Sequence, residues 1–244
     1  MYSYIWFILP LLACAIISAV ASNKVHKTFS AYADIQTASR MTGYDTAKCL
    51  LRNGGVDDVS VGRVKGTLTD HYHPKKEIVN LSESTYGSAS VAAVAVAAHE
   101  IGHVMQKKKG SVLYNIRAAL VPIVNFGSRL ALPLVFIGFF LDLFLLSTNG
   151  SNFGYYLAIV GVCLYGSSFL FTLFTYPVEL DASRRAKKML LEEGVLNEDE
   201  IVGAQKVLSA AASTYLASLL TSLVYFLRFL LWVFMLFGGR RRRN

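Results

Sequence analysis

Val91-Ala92-Ala93-Val94-Ala95-Val96-Ala97-Ala98-His99-Glu100-Ile101-Gly102-His103-Val104-Met105 is too short to cross a bilayer and apolar on nearly every side, which predicts a helix buried in protein rather than in lipid. Its punctuation agrees. Ser88 or Ser90 can cap its start, Lys107 to Lys109 complement the negative end of its dipole, and Gly110 can close it. Three ionisable residues interrupt the apolar surface as His99-Glu100-Ile101-Gly102-His103, an HExxH pattern. Positions i and i+4 share a helical face, so two imidazoles one turn apart can hold one Zn²⁺ at roughly 2.0–2.1 Å, with Glu100 beside it to take a proton from water. With the protein's five His and eight Glu, the pattern arises by chance with a probability of about 0.003. Burying three such groups in a Val-Ala helix is costly unless something binds them, and a metal ion supplies that compensation. Gly102 costs about 1 kcal/mol against alanine in mid-helix, which suits a place where a backbone or another ligand must come close.

A catalytic zinc needs a third protein ligand and keeps a fourth place for water. A third histidine on the metzincin pattern would fall at Lys109, and no histidine follows His103. The remaining pattern uses a glutamate from a later helix, and the candidates are Glu179, Glu192, Glu193, Glu198 and Glu200. Glu179 is favoured. It lies in Pro177-Val178-Glu179-Leu180-Asp181-Ala182, where Pro177 is expected to start a helix just beyond an apolar run, while the others read as a solvated turn and a helix start. His71 and His73, two apart on an expected strand, could also reach a metal, although His73 precedes Pro74 and reads as a turn residue.

Working outward, the 244 residues are 54% hydrophobic and only 16% charged, with a mean hydropathy of +0.43. That balance excludes disorder, collagen, a coiled coil and an ordinary soluble domain. Four apolar runs near Tyr4 to Ser22, Leu130 to Ser147, Phe153 to Tyr176 and Tyr215 to Phe237 are long enough to span a membrane. The fold class expected is therefore mainly α: an integral membrane protein with about four transmembrane helices and a small α+β catalytic unit. Ala19-Val20-Ala21 resembles a signal-peptide cleavage site, but Met1 to Ile5 lacks Lys and Arg while Lys24 and Lys27 follow the run, the arrangement of an anchor.

The organisation follows as an anchor over 1–22, a catalytic segment over 23–117, a transmembrane hairpin over 118–176, a helical segment with the third ligand over 177–214, and a membrane segment with a basic tail over 215–244. The hairpin turns at Thr148 to Asn152 and returns the chain to its starting side, so both polar segments share one face. Lys24, Lys27, Lys107 to Lys109, Arg117, Arg184, Arg185, Lys187 and Lys188 lie near its membrane ends, which by the positive-inside rule makes that face cytoplasmic. The tail Arg240 to Arg243 opposes this, since a fourth full span would put it outside. The net charge of +8 is partly that tail, and reads as orientation and contact with anionic lipid rather than with nucleic acid. Cys14, Cys49 and Cys163 are scattered and build neither a disulfide framework nor a CxxC zinc site.

Within 23–117, Thr42-Gly43-Tyr44-Asp45 opens a short helix that stops at Asn53-Gly54-Gly55, and Val59 to Val61 reads as a strand. Gly66 to Tyr72 and Glu77 to Leu81, joined by His73-Pro74-Lys75-Lys76, read as a hairpin at a sheet edge.

The chain resembles the YugP-type neutral zinc metallopeptidases, membrane gluzincins distantly similar to the HtpX-like ones. The resemblance rests on Leu68-Thr69-Asp70-His71-Tyr72, on Ser90 to Ala93 running into His99-Glu100-Ile101-Gly102-His103, on Ala119 to Pro122 with Asn125-Phe126-Gly127, and on Pro177 to Ala186. It implies a zincin-like unit with one Zn²⁺ per chain, His99, His103 and Glu179 as ligands and Glu100 as base. One departure stands out: the wider gluzincin pattern E-x-x-A-D would place an aspartate at Ser183, whereas here the acidic neighbour is Asp181.

These readings make the protein a membrane zinc endopeptidase that acts on a protein or peptide substrate lying extended, paired to the edge strand near Glu77 to Ser82. A rival is a scaffold or receptor with a structural metal site, which a closed fourth ligand such as His71 would favour. A transporter is a third reading, from Arg129, Asp142 and Arg228 within apolar runs.

Overall fold

The computed structural model describes residues 2–145 and 153–238, so the expected turn at Thr148 to Asn152 and the basic tail lie outside the described residues. Seven helices and three strands follow in the order α1 (Tyr2–Ala33), α2 (Gly43–Asn53), β1 (Ser60–Val64), β2 (His71–His73), β3 (Ile78–Ser82), α3 (Glu83–Tyr86), α4 (Val91–Lys108), α5 (Val112–Leu145), α6 (Phe153–Glu192) and α7 (Glu198–Gly238). The protein is a mainly helical membrane protein, and α1, α5, α6 and α7 are each long and apolar enough to cross a bilayer. Their exposed Phe126, Phe144, Phe153, Leu231 and Met235 would be untenable in water as a set.

These helices outrun the membrane. The 40 residues of α6 extend about 60 Å, of which a bilayer core needs only about 30 Å. Pro177 therefore does not start a helix, contrary to the expectation: it lies inside α6. Its missing N–H costs one backbone bond, which local adjustment in a packed helix absorbs.

The chain divides into two compact units. One comprises Met1–Ile16, Ile116–Thr175 and Ala217–Asn244. Its interior holds Val135, Ala158, Val162, Phe229 and Val233, and a Cβ at Gly161 would stand 2.7 Å from the Ala131 carbonyl oxygen. A glycine is required there for α5 and α6 to approach so closely, the device by which helices pack in lipid.

The other unit comprises Ile17–Asn115 and Tyr176–Leu216 and is organised around α4. That helix is buried on nearly every side: Val91, Ala92, Val94, Ala95, Ala97, Ala98, Ile101, Val104 and Met105 all belong to one core with Leu50, Leu81, Leu190, Ala204 and Val207. Ser90 caps it, accepting the Ala93 N–H at 3.2 Å, and Gly110 leaves it at φ +65°, as its sequence predicts. Thr42 and Asp45 form the capping box of α2.

The strands form one sheet in the order β1-β3-β2, β1 parallel and β2 antiparallel to β3. The hairpin of β2 and β3 matches the expectation, but β3 is not the edge strand. It is paired on both sides, His71 to His73 on one and Ser60 to Val64 on the other. Its central place follows from its side chains, since Val79 and Leu81 are fully buried whereas β2 is partly exposed.

Candidate metal centre

α4 and the polar part of α6 build the site. Gly102 lets them meet: a Cβ there would lie 2.5 Å from the Ala182 carbonyl oxygen, a distance no side-chain carbon tolerates. This is the close backbone approach that the mid-helix glycine suggested. It brings Glu179, one turn earlier on α6, against the imidazoles of α4. The Glu179 Oε2 lies 3.1 Å from His99 Nε2 and 3.3 Å from His103 Nε2. Among the described residues these three form the one cluster of metal-ligating side chains, with donor atoms within 4.8 Å of one another.

The donor set fits a tetrahedral zinc. Ligands at about 2.0–2.1 Å from such an ion stand about 3.3 Å apart, close to the two His–Glu separations. The ring contacts agree as well, and that of His103 fixes its tautomer. His99 Nδ1 meets the Ser183 hydroxyl at 3.1 Å, and His103 Nδ1 meets the Gln106 side-chain oxygen at 3.0 Å. Gln106 cannot reverse its amide, because its nitrogen donates to the Val178 carbonyl at 2.8 Å and to Asp181 Oδ2 at 2.9 Å. His103 must therefore donate from Nδ1, which leaves Nε2 turned toward the cluster with its lone pair. Burial works to lower the basicity of His103, but the hydrogen bond and charge of Glu179 prevail and hold it above its ordinary value. A carboxylate this buried, facing two imidazole nitrogens, needs a cation, either protons or a metal ion.

Gln106 and Ser183, which contact the two imidazoles, are residues that sequence reasoning did not assign. Gln106 is three residues after His103, and Ser183 four after Glu179, so each shares a helical face with its neighbour; that spacing was the available signal. Asp181 touches neither imidazole. It holds Gln106 on one side and is itself paired with Arg184 and with Arg185, the latter at 2.7 Å, which gives the basic pair a place in the fold. Ser183 stands where the wider pattern has aspartate and makes the imidazole contact with a neutral hydroxyl.

Glu100 is mostly buried and, with His99, lines a cleft of about 460 Å³. The opposite walls come from the loop before β2 (Thr67, Leu68, Asp70), from α1 (Ser22, Val25, His26) and from α7 (Leu208, Ala211, Tyr215). Leu68 holds a φ of +57°, a strained conformation for a leucine. His71 is outside the cluster: its ring nitrogens engage the Thr69 carbonyl at 2.9 Å and the Asn80 side chain at 3.1 Å. His73 Nδ1 accepts from the Lys76 N–H as part of the turn. The other carboxylates weighed as ligands serve elsewhere, Glu193 with Asn53 and Glu200 with the Ala38 N–H.

Residues 6–234 match the sequence pattern of the family described as "Putative neutral zinc metallopeptidase". The chain belongs to this family. It is 40% identical over 225 residues, 92% of this chain and 95% of the relative, to the protein named "Putative membrane protease YugP" of Bacillus subtilis (strain 168). No solved structure matches it. Family and relative together place the chain among membrane proteins of the zinc metallopeptidase class.

Proposed function

We propose that the protein is a gluzincin-type zinc endopeptidase in which His99, His103 and Glu179 hold one Zn²⁺ and Glu100 is the general base. The observation that carries this is the convergence of both Nε2 atoms on Glu179 Oε2 beside a cleft that Glu100 also lines. A bound zinc at such a site acidifies water and polarises a carbonyl. Everything else is the work of this chain. Ser183 and Gln106 keep the two Nε2 lone pairs aimed at one point. Glu100 takes the proton of the attacking water and delivers it to the amine that leaves when the C–N bond breaks. The cleft holds the peptide extended; with β3 enclosed on both sides, main-chain pairing falls to β2 and the loop leading into it. By the distribution of Lys and Arg, the unit faces the cytoplasm.

The scaffold reading asked for a closing fourth ligand, and His71 is bound elsewhere. The deciding experiment is cleavage of casein by wild type and Glu100→Gln, with zinc per chain measured on both. The reading requires lost cleavage with zinc retained; equal cleavage sinks it. One zinc in wild type and in Glu193→Ala, but far less in Glu179→Ala, is the result expected for the ligand set.

A further inference from the structure

The cleft beside His99 and Glu100 is walled in part by α1 and α7. The apolar run of α1 ends at Ser22, and that of α7 begins at Tyr215; both residues line the cleft. The other wall residues of these helices, Val25 and His26 on α1 and Val207, Leu208, Ala211 and Thr214 on α7, lie within eight positions on the polar side of those limits, at most about 12 Å along a helix. The polar end of the α1 apolar run and the start of the α7 run thus both fall at one cleft. Lys24 and Lys27, both exposed, flank the same level of α1, where they meet phosphate headgroups. The cleft interior is mostly apolar and includes Leu68, Val96 and Leu208, a lining that accepts the apolar side chains found where a polypeptide emerges from lipid.

We propose that the substrate is a membrane-anchored polypeptide, cut within about ten residues of the point where it leaves the bilayer, an extended reach of about 35 Å. This rests on the peptidase reading above and specifies its substrate class. A soluble chain of the same sequence must find the cleft from bulk water, whereas an anchored one is confined to the surface where the cleft opens and gains effective concentration.

Two measurements on the full chain in vesicles of phosphatidylcholine and phosphatidylglycerol test it. The first is cleavage, with sites mapped by mass spectrometry, of an unstructured tail carried directly on a transmembrane helix, of the same tail behind a 40-residue Gly/Ser spacer, and of the free tail. Cuts near the membrane at least tenfold faster than in the other two support the proposal, and equal rates overturn it. The second reads position without activity. A fluorophore on Thr67→Cys, an exposed cleft residue of the sheet unit, is placed in a background of Cys14→Ala, Cys49→Ser and Cys163→Ala. Quenching by headgroup-labelled lipid, with none for the same dye on Asp199→Cys about 24 Å up α7, is expected; quenching by aqueous iodide alone overturns the proposal. If zinc-loaded wild type cuts none of the three tails, the peptidase reading fails and the substrate assignment falls with it, even with Thr67 at the surface.

Discussion

Replacing Gly102 with alanine sets helix propensity against tertiary packing. Propensity alone predicts that Gly102→Ala stabilises α4 by about 1 kcal/mol. The structure predicts the reverse. The added Cβ would stand 2.5 Å from the Ala182 carbonyl oxygen and 3.1 Å from its Cα and carbonyl carbon, so α6 must retreat by about 0.9 Å to reach ordinary contact. Both neighbours are helix backbone and cannot rotate away, and overpacking of this kind costs about 1–3 kcal/mol. Glu179 and Ser183 ride on the displaced segment, whereas His99 and His103 stay with α4. A metal site tolerates errors of only about 0.2 Å in its ligand distances, so zinc affinity should fall at least tenfold, about 1.4 kcal/mol. The assay is zinc competition against a chromophoric chelator in detergent, beside thermal melting of the metal-free protein. Gly87→Ala is the control, because a Cβ there meets nothing within 4 Å. Wild-type zinc affinity together with a raised melting temperature in Gly102→Ala would refute the reasoning.

Gln106→Leu keeps the volume but removes the acceptor of His103 Nδ1 and the donor to Asp181; zinc affinity should drop about 10 to 100-fold, and an unchanged chelator titration would show that Gln106 only fills space. Ser183→Asp puts a carboxylate where the hydroxyl meets His99, so zinc binding should be at least as tight as wild type; a tenfold loss would mean that the site requires a neutral partner there. Glu77 is held below its ordinary value of 4.5 by the hydrogen bond from Lys107 first and that from Tyr72 second, against a smaller effect of burial. A depressed carboxylate adds stability that is present above its unfolded value and lost as pH falls through the folded one. The melting difference between wild type and Glu77→Gln should thus be level from pH 6 to 8 and shrink below about 4.5, staying within about 1 kcal/mol for so solvated a group; a difference that grows on acidification contradicts the pairing.

The membrane class, the buried α4, its Ser90 cap, the α2 capping box and the His99-Glu100-His103 face were all legible in the chain, because each depends on periodicity or on contacts within about four residues. Glu179 could be chosen among five glutamates only by its place after an apolar run. The local preference of Pro177 is for a first turn, yet it lies inside α6, where a packed helix absorbs the missing N–H. Likewise β3 reads as an edge in the sequence but is paired on both sides. Alternation tells which side of a strand is buried, but not which strands flank it.

What the sequence determined by itself was that two imidazoles and a carboxylate share one turn of a buried helix in a membrane protein. Tertiary structure alone decided which carboxylate meets the imidazoles and which side chains are held against the rings. Glu179 and Ser183 lie 80 and 84 residues from His99 in the chain, and Val178, which holds the Gln106 amide, lies 72 from Gln106; they meet α4 only because Gly102 has no side chain to keep the backbone of Ala182 at a distance.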